Sequence, residues 1–258
     1  MMLIDSHAHL DMKVSNSDRD EIIKRALSAG VRYIITIGID VESSLKGITL
    51  AEHYPSVFAT VGIHPHNADN ASKGDLERMH LLTTQKKVVA IGEIGLDFYH
   101  NRSSRKAQIA LLKQQLEMAL SLDLPVVIHD REAHGEIQKI VSSFYGLKGV
   151  IHCFSGDYHL AQAFIDMGYY ISIPGTVTYK NAVQVQDVAS RIPFDKLFLE
   201  TDAPFLAPAP CRGRRNEPSL IVHTAQKIAM LRGVSLEEVA RQTGKNVCRL
   251  FGITPFEQ

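Results

Sequence analysis

The chain has 258 residues, 45% hydrophobic and 22% charged, with 28 basic and 28 acidic side chains that cancel. That composition excludes a disordered chain and a protein that coats nucleic acid by bulk positive charge. Three scattered cysteines (Cys153, Cys211 and Cys248) exclude a disulfide framework. With no basic-then-apolar leader and no apolar run near the roughly 18 residues that span a bilayer, they predict a soluble cytoplasmic protein.

The chain opens on a short apolar strand at 3–4 that leads into Asp5-Ser6-His7-Ala8-His9. Side chains alternate along a strand, so Asp5, His7 and His9 share one face, where two imidazoles can chelate one ion. Ser17 reads as the N-cap of a helix over 18–29, with Asp20 and Glu21 in its first turn and Gly30 as its stop. A strand at 33–37 and a helix over 41–53 follow. The third strand, 57–61, ends in Gly62-Ile63-His64-Pro65-His66 before a helix over 74–82. The fourth, 88–91, ends in Gly92-Glu93-Ile94-Gly95-Leu96-Asp97. Its helix, 104–122, carries Ile109, Leu112, Leu116 and Leu120 as one apolar stripe. The fifth strand, 125–128, ends in His129-Asp130 ahead of a helix over 131–144. The sixth, 150–151, ends in His152-Cys153 ahead of one over 157–167. The seventh, 170–173, precedes a helix over 180–191. The eighth, 197–199, ends in Glu200-Thr201-Asp202 ahead of a helix over 219–232. Helical tails around 235–242 and 246–251 complete the chain, with Ser235 and Glu238 as a capping box.

The strands are apolar throughout rather than alternating, which suits a parallel sheet covered on both faces. Eight strand-then-helix units, with no internal repeat and no linker, predict one α/β domain over 1–258. The expected fold is a (β/α)8 TIM barrel with an additional C-terminal helix; an open doubly wound sheet is the alternative.

Six of the strands end in histidine or a carboxylate, and in a barrel those ends converge on one face. A single histidine after a strand is more often a hydrogen-bonded loop residue than a ligand. Four histidines and two carboxylates at equivalent positions point to metal instead. The set His7, His9, Glu93, His129, His152 and Asp202 exceeds what one catalytic ion needs, so two divalent ions sharing Glu93 are expected. One takes His7, His9, Glu93 and Asp202; the other takes Glu93, His129 and His152. Mg2+, Mn2+ and Zn2+ all suit these donors. Two ions at an open face imply hydrolysis, with Asp202 accepting a proton from the attacking water. Glu200 reads either as an orienting group for the ligands or as a buried acid paired with a basic neighbour. His64 and His66 suit a phosphate contact or a leaving-group acid. Cys153 should point to the face opposite His152. For substrate, Arg212, Arg214 and Arg215 suit phosphates, unless they pair with Glu217 in a solvated loop, and Tyr99 suits stacking on a base.

In these stretches the chain resembles the TatD-type metal-dependent deoxyribonucleases, within the wider amidohydrolase-like barrels. The matching pieces are Asp5-Ser6-His7-Ala8-His9-Leu10-Asp11, Gly62-Ile63-His64-Pro65, Gly92 to Asp97, Ile128-His129, His152-Cys153-Phe154, Glu200 to Pro204 and Arg212 to Pro218. The Gly-Glu-Ile-Gly-Leu-Asp and Arg-Gly-x-Arg-Asn-Glu-Pro stretches are the particular ones. The resemblance implies a divalent metal site at the six residues above. It also implies phosphodiester hydrolysis on DNA, with 3′-to-5′ exonuclease action in some members. Glu93 stands where many amidohydrolase relatives carry a modified lysine, and Asp130 where similar chains often carry Ser or Thr. The expected partner is nucleic acid, at single-stranded DNA ends, with no membrane and no obligate protein partner. A hydrolase of a small amide, lactone or ester using the same ions is the alternative, and a scaffold with structural metals is a third reading.

Overall fold

The computed structural model describes residues 2–15 and 17–254. Its strands are β1 (Leu3–Ala8), β2 (Val31–Ile37), β3 (Val57–Val61), β4 (Val88–Asp97), β5 (Val126–Arg131), β6 (Gly149–Ile151), β7 (Tyr170–Ile173) and β8 (Leu197–Leu199). They lie in sequence order in one sheet, each parallel to the next. Parallel neighbours need a crossover, and a helix supplies each one. These are α1 (Arg19–Ser28), α2 (Val41–His53), α3 (Lys73–Leu82), α4 (Arg105–Ser121), α5 (His134–Val141), α6 (Tyr158–Asp166) and α7 (Val183–Arg191); α8 (Ile221–Arg232) and α9 (Leu236–Phe251) follow β8. Just past β8, Ala203 bridges Ala8 in parallel. There the Asp202 N–H donates to the His7 carbonyl at 2.9 Å, and the His9 N–H donates to the Ala203 carbonyl at 2.7 Å. The sheet is therefore a ring, the TIM barrel rather than the open sheet.

Alternation along the strands divides the core. Leu3 and Ile34 join the cluster shared with the helices, whereas Ile4, Tyr33, Ile35, Val127, Val150 and Phe198 form a second, interior cluster. Val247, Leu250 and Phe251 of α9 belong to that interior cluster, so the last helix closes the end where the strands begin. Gly244 permits this, because a Cβ there would lie 2.9 Å from the Met2 carbonyl oxygen. The expected C-terminal helix is thus present as one continuous element, not as two pieces. Ser235 caps it, accepting from the Glu238 N–H at 3.1 Å.

Three local expectations are corrected. Helix α1 has Asp18, not Ser17, as its N-cap residue. The Asp18 carboxylate makes no cap bond, because it is occupied by Arg215 and Arg25. The buried stripe of α4 runs through Gln108, Leu111, Leu112, Gln115, Leu116 and Ala119, so Leu120 is exposed. Two glutamines hold core positions because each one satisfies strand-end backbone. Gln115 pairs with the Ile63 N–H at 2.8 Å and its carbonyl at 3.0 Å, and Gln108 does the same for Asp97 at 2.9 and 3.2 Å. Strand β4 accordingly runs on to Asp97 rather than stopping at residue 91.

Candidate metal centre

The C-terminal ends of the strands bring His7, His9, Glu93, His129, His152 and Asp202 together in one cluster, in which His129 and Asp202 are partly exposed and the other four are buried. Glu93 is at its middle, 3% exposed. Glycines on either side of it make that position possible. A Cβ on Gly92 would lie 2.6 Å from the Val127 Cβ, and one on Gly95 (φ +150°) would lie 2.0 Å from the His129 carbonyl oxygen. β4 can therefore press against β5 and present Glu93 inward.

The two carboxylate oxygens of Glu93 have different company. Oε2 lies 3.4 Å from His7 Nε2 and 3.9 Å from His9 Nε2. Oε1 lies 2.7 Å from His129 Nδ1, 3.3 Å from His152 Nε2 and 3.6 Å from His64 Nε2. Asp202 Oδ1 is 3.5 Å from His9 Nε2 and 3.7 Å from His7 Nε2. Among the sets whose ligand atoms all lie within 4.8 Å of one another, three are built from histidine with Glu93 or Asp202 alone: His7–His9–Asp202, His7–Glu93–His152 and His64–Glu93–His129. The His152 ring stacks on that of His7 (centroids 3.6 Å apart) and on that of His129 (5.9 Å), and the His64 ring lies edge-on to His129 (4.6 Å).

Among the described residues neither ring nitrogen of His7 has a hydrogen-bond partner, although both are buried. An orphaned imidazole facing two carboxylate oxygens at more than hydrogen-bond distance fits a divalent cation between them. Charge fits as well. Burial pushes the Glu93 carboxyl up, but His152, His64, His7 and the bond from His129 outweigh it and hold the pKa well below its ordinary value. Burial also opposes ionisation of Asp202, and the bond from His9 with the nearby His152 and His7 overcomes it. Burial, then His152, lowers His7, so it stays a neutral donor. His129, held between Glu93 and Asp97 against the cost of burial, is lifted to about 9.

The residues around the cluster fix its geometry. Glu200 is fully buried; its Oε1 accepts the Cys153 N–H at 2.7 Å and lies 3.2 Å from His152 Nδ1. It touches a candidate ligand and so positions it. Asp5 is turned away to Thr201, accepting its N–H at 2.9 Å and its hydroxyl at 2.5 Å. Cys153 corrects an expectation. β6 ends at Ile151, and Cys153 adopts φ +47°, so its sulfur comes within 4.8 Å of ligand atoms of His152 and Asp202 instead of pointing away. Asp130 takes His134 Nδ1 at 2.8 Å, across the start of α5.

The remaining candidates are more dispersed. His66 Nε2 donates to Asp97 Oδ2 at 2.7 Å. Tyr99 is 63% exposed, with the Arg131 guanidinium 5.0 Å from its ring centre. Arg214 is exposed, and Arg212 lies 4.7 Å over the Tyr179 ring. Arg215 is engaged, donating to the Val14 carbonyl at 2.6 Å and to Asp18 at 2.5 Å. Glu217 pairs with Arg25, not with the loop arginines, and Asn216 donates to the Thr201 and Phe205 carbonyls. This loop therefore docks onto α1 and holds the turn that carries Asp202. Sequence reasoning missed Asn216, Gln108, Gln115 and His100; the one available signal was polar residues in line with the apolar face of α4. The cluster opens into a cavity of about 170 Å³ whose lining includes Asp97, His129, His152, Asp202 and Phe205.

The sequence model for TatD related DNase matches residues 4–252. The chain belongs to the TatD-related DNase family. It is similar to an uncharacterised metal-dependent hydrolase of Bacillus subtilis, YabD, at 37% identity over 98% of this chain and 100% of that one. It is also similar to a protein of Escherichia fergusonii named 3′-5′ ssDNA/RNA exonuclease TatD, at 38% identity over 92% and 94%. Among solved structures, the TatD homologue YJJV of Escherichia coli superposes with a TM-score of 0.93 at 32% identity, covering 98% of both chains. The chain is thus a metal-dependent hydrolase of the TatD family, and the His/Glu/Asp cluster is where such a TatD protein can hold its metal.

Proposed function

We propose that this protein is a 3′-to-5′ exonuclease that hydrolyses phosphodiester bonds at single-stranded DNA ends, with two divalent ions at the Glu93 centre. The observation that carries the reading is the division of Glu93, whose two oxygens face different groups of histidines. A carboxylate so placed is the natural shared ligand of two ions. His7, His9, Asp202 and Glu93 would hold one, and Glu93, His129 and His152 the other, in the form of Mg2+, Mn2+ or Zn2+. When bound, such ions polarise a phosphoryl oxygen and make water nucleophilic near neutral pH. A relative named as an exonuclease on ssDNA and RNA supports the substrate class.

The chain's own residues then have distinct tasks. Asp202, ionised in this setting, accepts the proton of the attacking water. His64 Nδ1 accepts the His66 N–H at 3.1 Å, so the ring proton sits on Nε2, the nitrogen facing Glu93. A protonated Nε2 cannot ligate. Burial holds the His64 ring neutral, so it donates a hydrogen bond to a phosphate oxygen instead of giving up a proton. Glu200 orients His152. Arg212 and Arg214 reach the flanking backbone, and Tyr99 offers an open ring face to a base.

The test is a turnover assay on 3′- and 5′-labelled single-stranded DNA with Mg2+, Mn2+ and Zn2+ in parallel, and Glu93→Ala as the control. Stepwise shortening from the 3′ end, absent in the variant, is expected. The engagement of Arg215 with Asp18 removes one phosphate arm and favours the second reading, hydrolysis of a small amide, lactone or ester. Intact DNA under every metal, with turnover of such a substrate, would establish that reading in place of the first.

A further inference from the structure

We infer that His66, Asp97 and His100 form a further divalent-cation site, distinct from the Glu93 centre and set at its outer lip. Asp97 Oδ2 lies 2.7 Å from His66 Nε2 and 2.8 Å from His100 Nδ1, and one ligand atom from each residue falls within 4.8 Å of the others. A third imidazole nitrogen, His129 Nε2, is 3.5 Å from the same oxygen. Asp97 Oδ1 is already used, accepting the Tyr99 and His100 N–H groups at 3.1 and 2.8 Å. One carboxylate oxygen has room for about two hydrogen bonds. Three imidazole nitrogens converge on it, and among the described residues His129 Nε2 is left without a hydrogen-bond partner. Orienting one histidine needs one contact; this convergence is the arrangement of donors around a cation.

The donors are held in place before any ion arrives. Gln108 pins both the N–H and the carbonyl of Asp97. The Ser103 hydroxyl donates to the His66 carbonyl at 2.8 Å, and the His66 N–H donates to His64. Asp97 is 1% exposed, whereas the His66 and His100 side chains are 22% and 44% exposed. Asp97 and His100 both line the 170 Å³ cavity, so the site has a buried floor and an open front. Two imidazoles and a carboxylate with an open position are a three-ligand set of the zinc type. Such donors select Zn2+ or Co2+ over Mg2+ and Ca2+, which prefer oxygen. The His129 ring lies between Glu93 Oε1 and Asp97 Oδ2, so the two sites are one imidazole apart. An ion at the lip would present its free position to the cavity, where it can take an anionic oxygen of whatever the centre acts on.

The site does not rest on the substrate proposed above, and zinc binding is read without any nucleic acid. Full-length protein is stripped with a chelator and loaded with Zn2+. Bound zinc per chain is measured after desalting, for wild type, His100→Ala, Glu93→Ala and the double variant. Wild type should hold one equivalent more than His100→Ala, and Glu93→Ala should keep an equivalent that the double variant loses. Loss of a direct ligand should weaken that equivalent by more than the ~10–100-fold that removing an outer partner costs. Circular dichroism verifies the fold, which the exposed His100 does not support. Equal zinc content and affinity in wild type and His100→Ala would overturn the site. So would a Glu93→Ala protein that retains no zinc and is correctly folded.

Discussion

Glu200 offers a test of how the strand ends are held for metal. Its Oε1 accepts the Cys153 N–H at 2.7 Å and faces His152 Nδ1 at 3.2 Å, while among the described residues its Oε2 has no hydrogen-bond partner. Glu200→Gln keeps the size and an oxygen for Cys153 but deletes the charge beside His152. Burial pushes His152 down, and Glu200 followed by Glu93 lifts it well above its ordinary value. The variant should therefore bring that pKa down. It should also free the ring from its orienting carboxylate, a change that costs about 10–100-fold in metal affinity, or roughly 1.4–2.7 kcal/mol. The metal-free protein should unfold at an unchanged or higher urea concentration, because a buried charge with an unpaired oxygen has been removed. Affinity is read by competition with a chromophoric chelator for Zn2+, and stability by urea denaturation. Zn2+ affinity within twofold of wild type would refute the orienting role.

Three further outcomes are expected. Burial lifts Asp5 to about 8, so the folded chain keeps a proton that the unfolded chain releases above about pH 4; the associated stability is full below that point and is lost as pH rises through about 8. Metal-free Asp5→Asn should lose less stability than wild type between about pH 5 and pH 8 in urea titrations, and equal losses would contradict the assignment. Gln115→Leu strands the Ile63 N–H and carbonyl, and at roughly 1–3 kcal/mol for each buried group it should cost about 2–6 kcal/mol in urea denaturation. A loss under about 1 kcal/mol would mean that the backbone finds other partners. Gly95→Ala places a Cβ 2.0 Å from the His129 carbonyl oxygen and should lower the melting temperature by at least about 6–12 °C, for a cost near 3 kcal/mol. An unchanged melting temperature would show that β4 and β5 can part freely.

The architecture was legible because short apolar runs alternate with longer helical segments and six of the eight runs end in histidine or a carboxylate. His7, His9, Glu93, His129, His152 and Asp202, chosen as strand-end residues, are the ones the fold gathers. What could not be read was contact between distant elements. His152 lies between the rings of His7 and His129, a stacking that joins three strands far apart in the chain. The arginine loop looks like a phosphate grip in sequence, yet Asp18 and the Val14 carbonyl claim Arg215. Gln108 and Gln115 were not singled out because their partners are backbone groups, which leave no mark in the sequence. Cys153 was placed on the wrong face because a left-handed residue at the strand's end breaks the alternation.

The ring closes where Ala8 meets Ala203, and the same join binds Asp5 to Thr201 across 196 positions of chain. His7 and His9 come from one side of that seam and Asp202 from the other. A cation held by these three would be a clasp between the two ends of the polypeptide. Closing so long a loop costs conformational entropy, and a clasp offsets that cost only once the ring is whole. Withdrawing the metal would then loosen the β1–β8 seam before any other strand pair, and amide exchange along Ala8 and Ala203 would report it first.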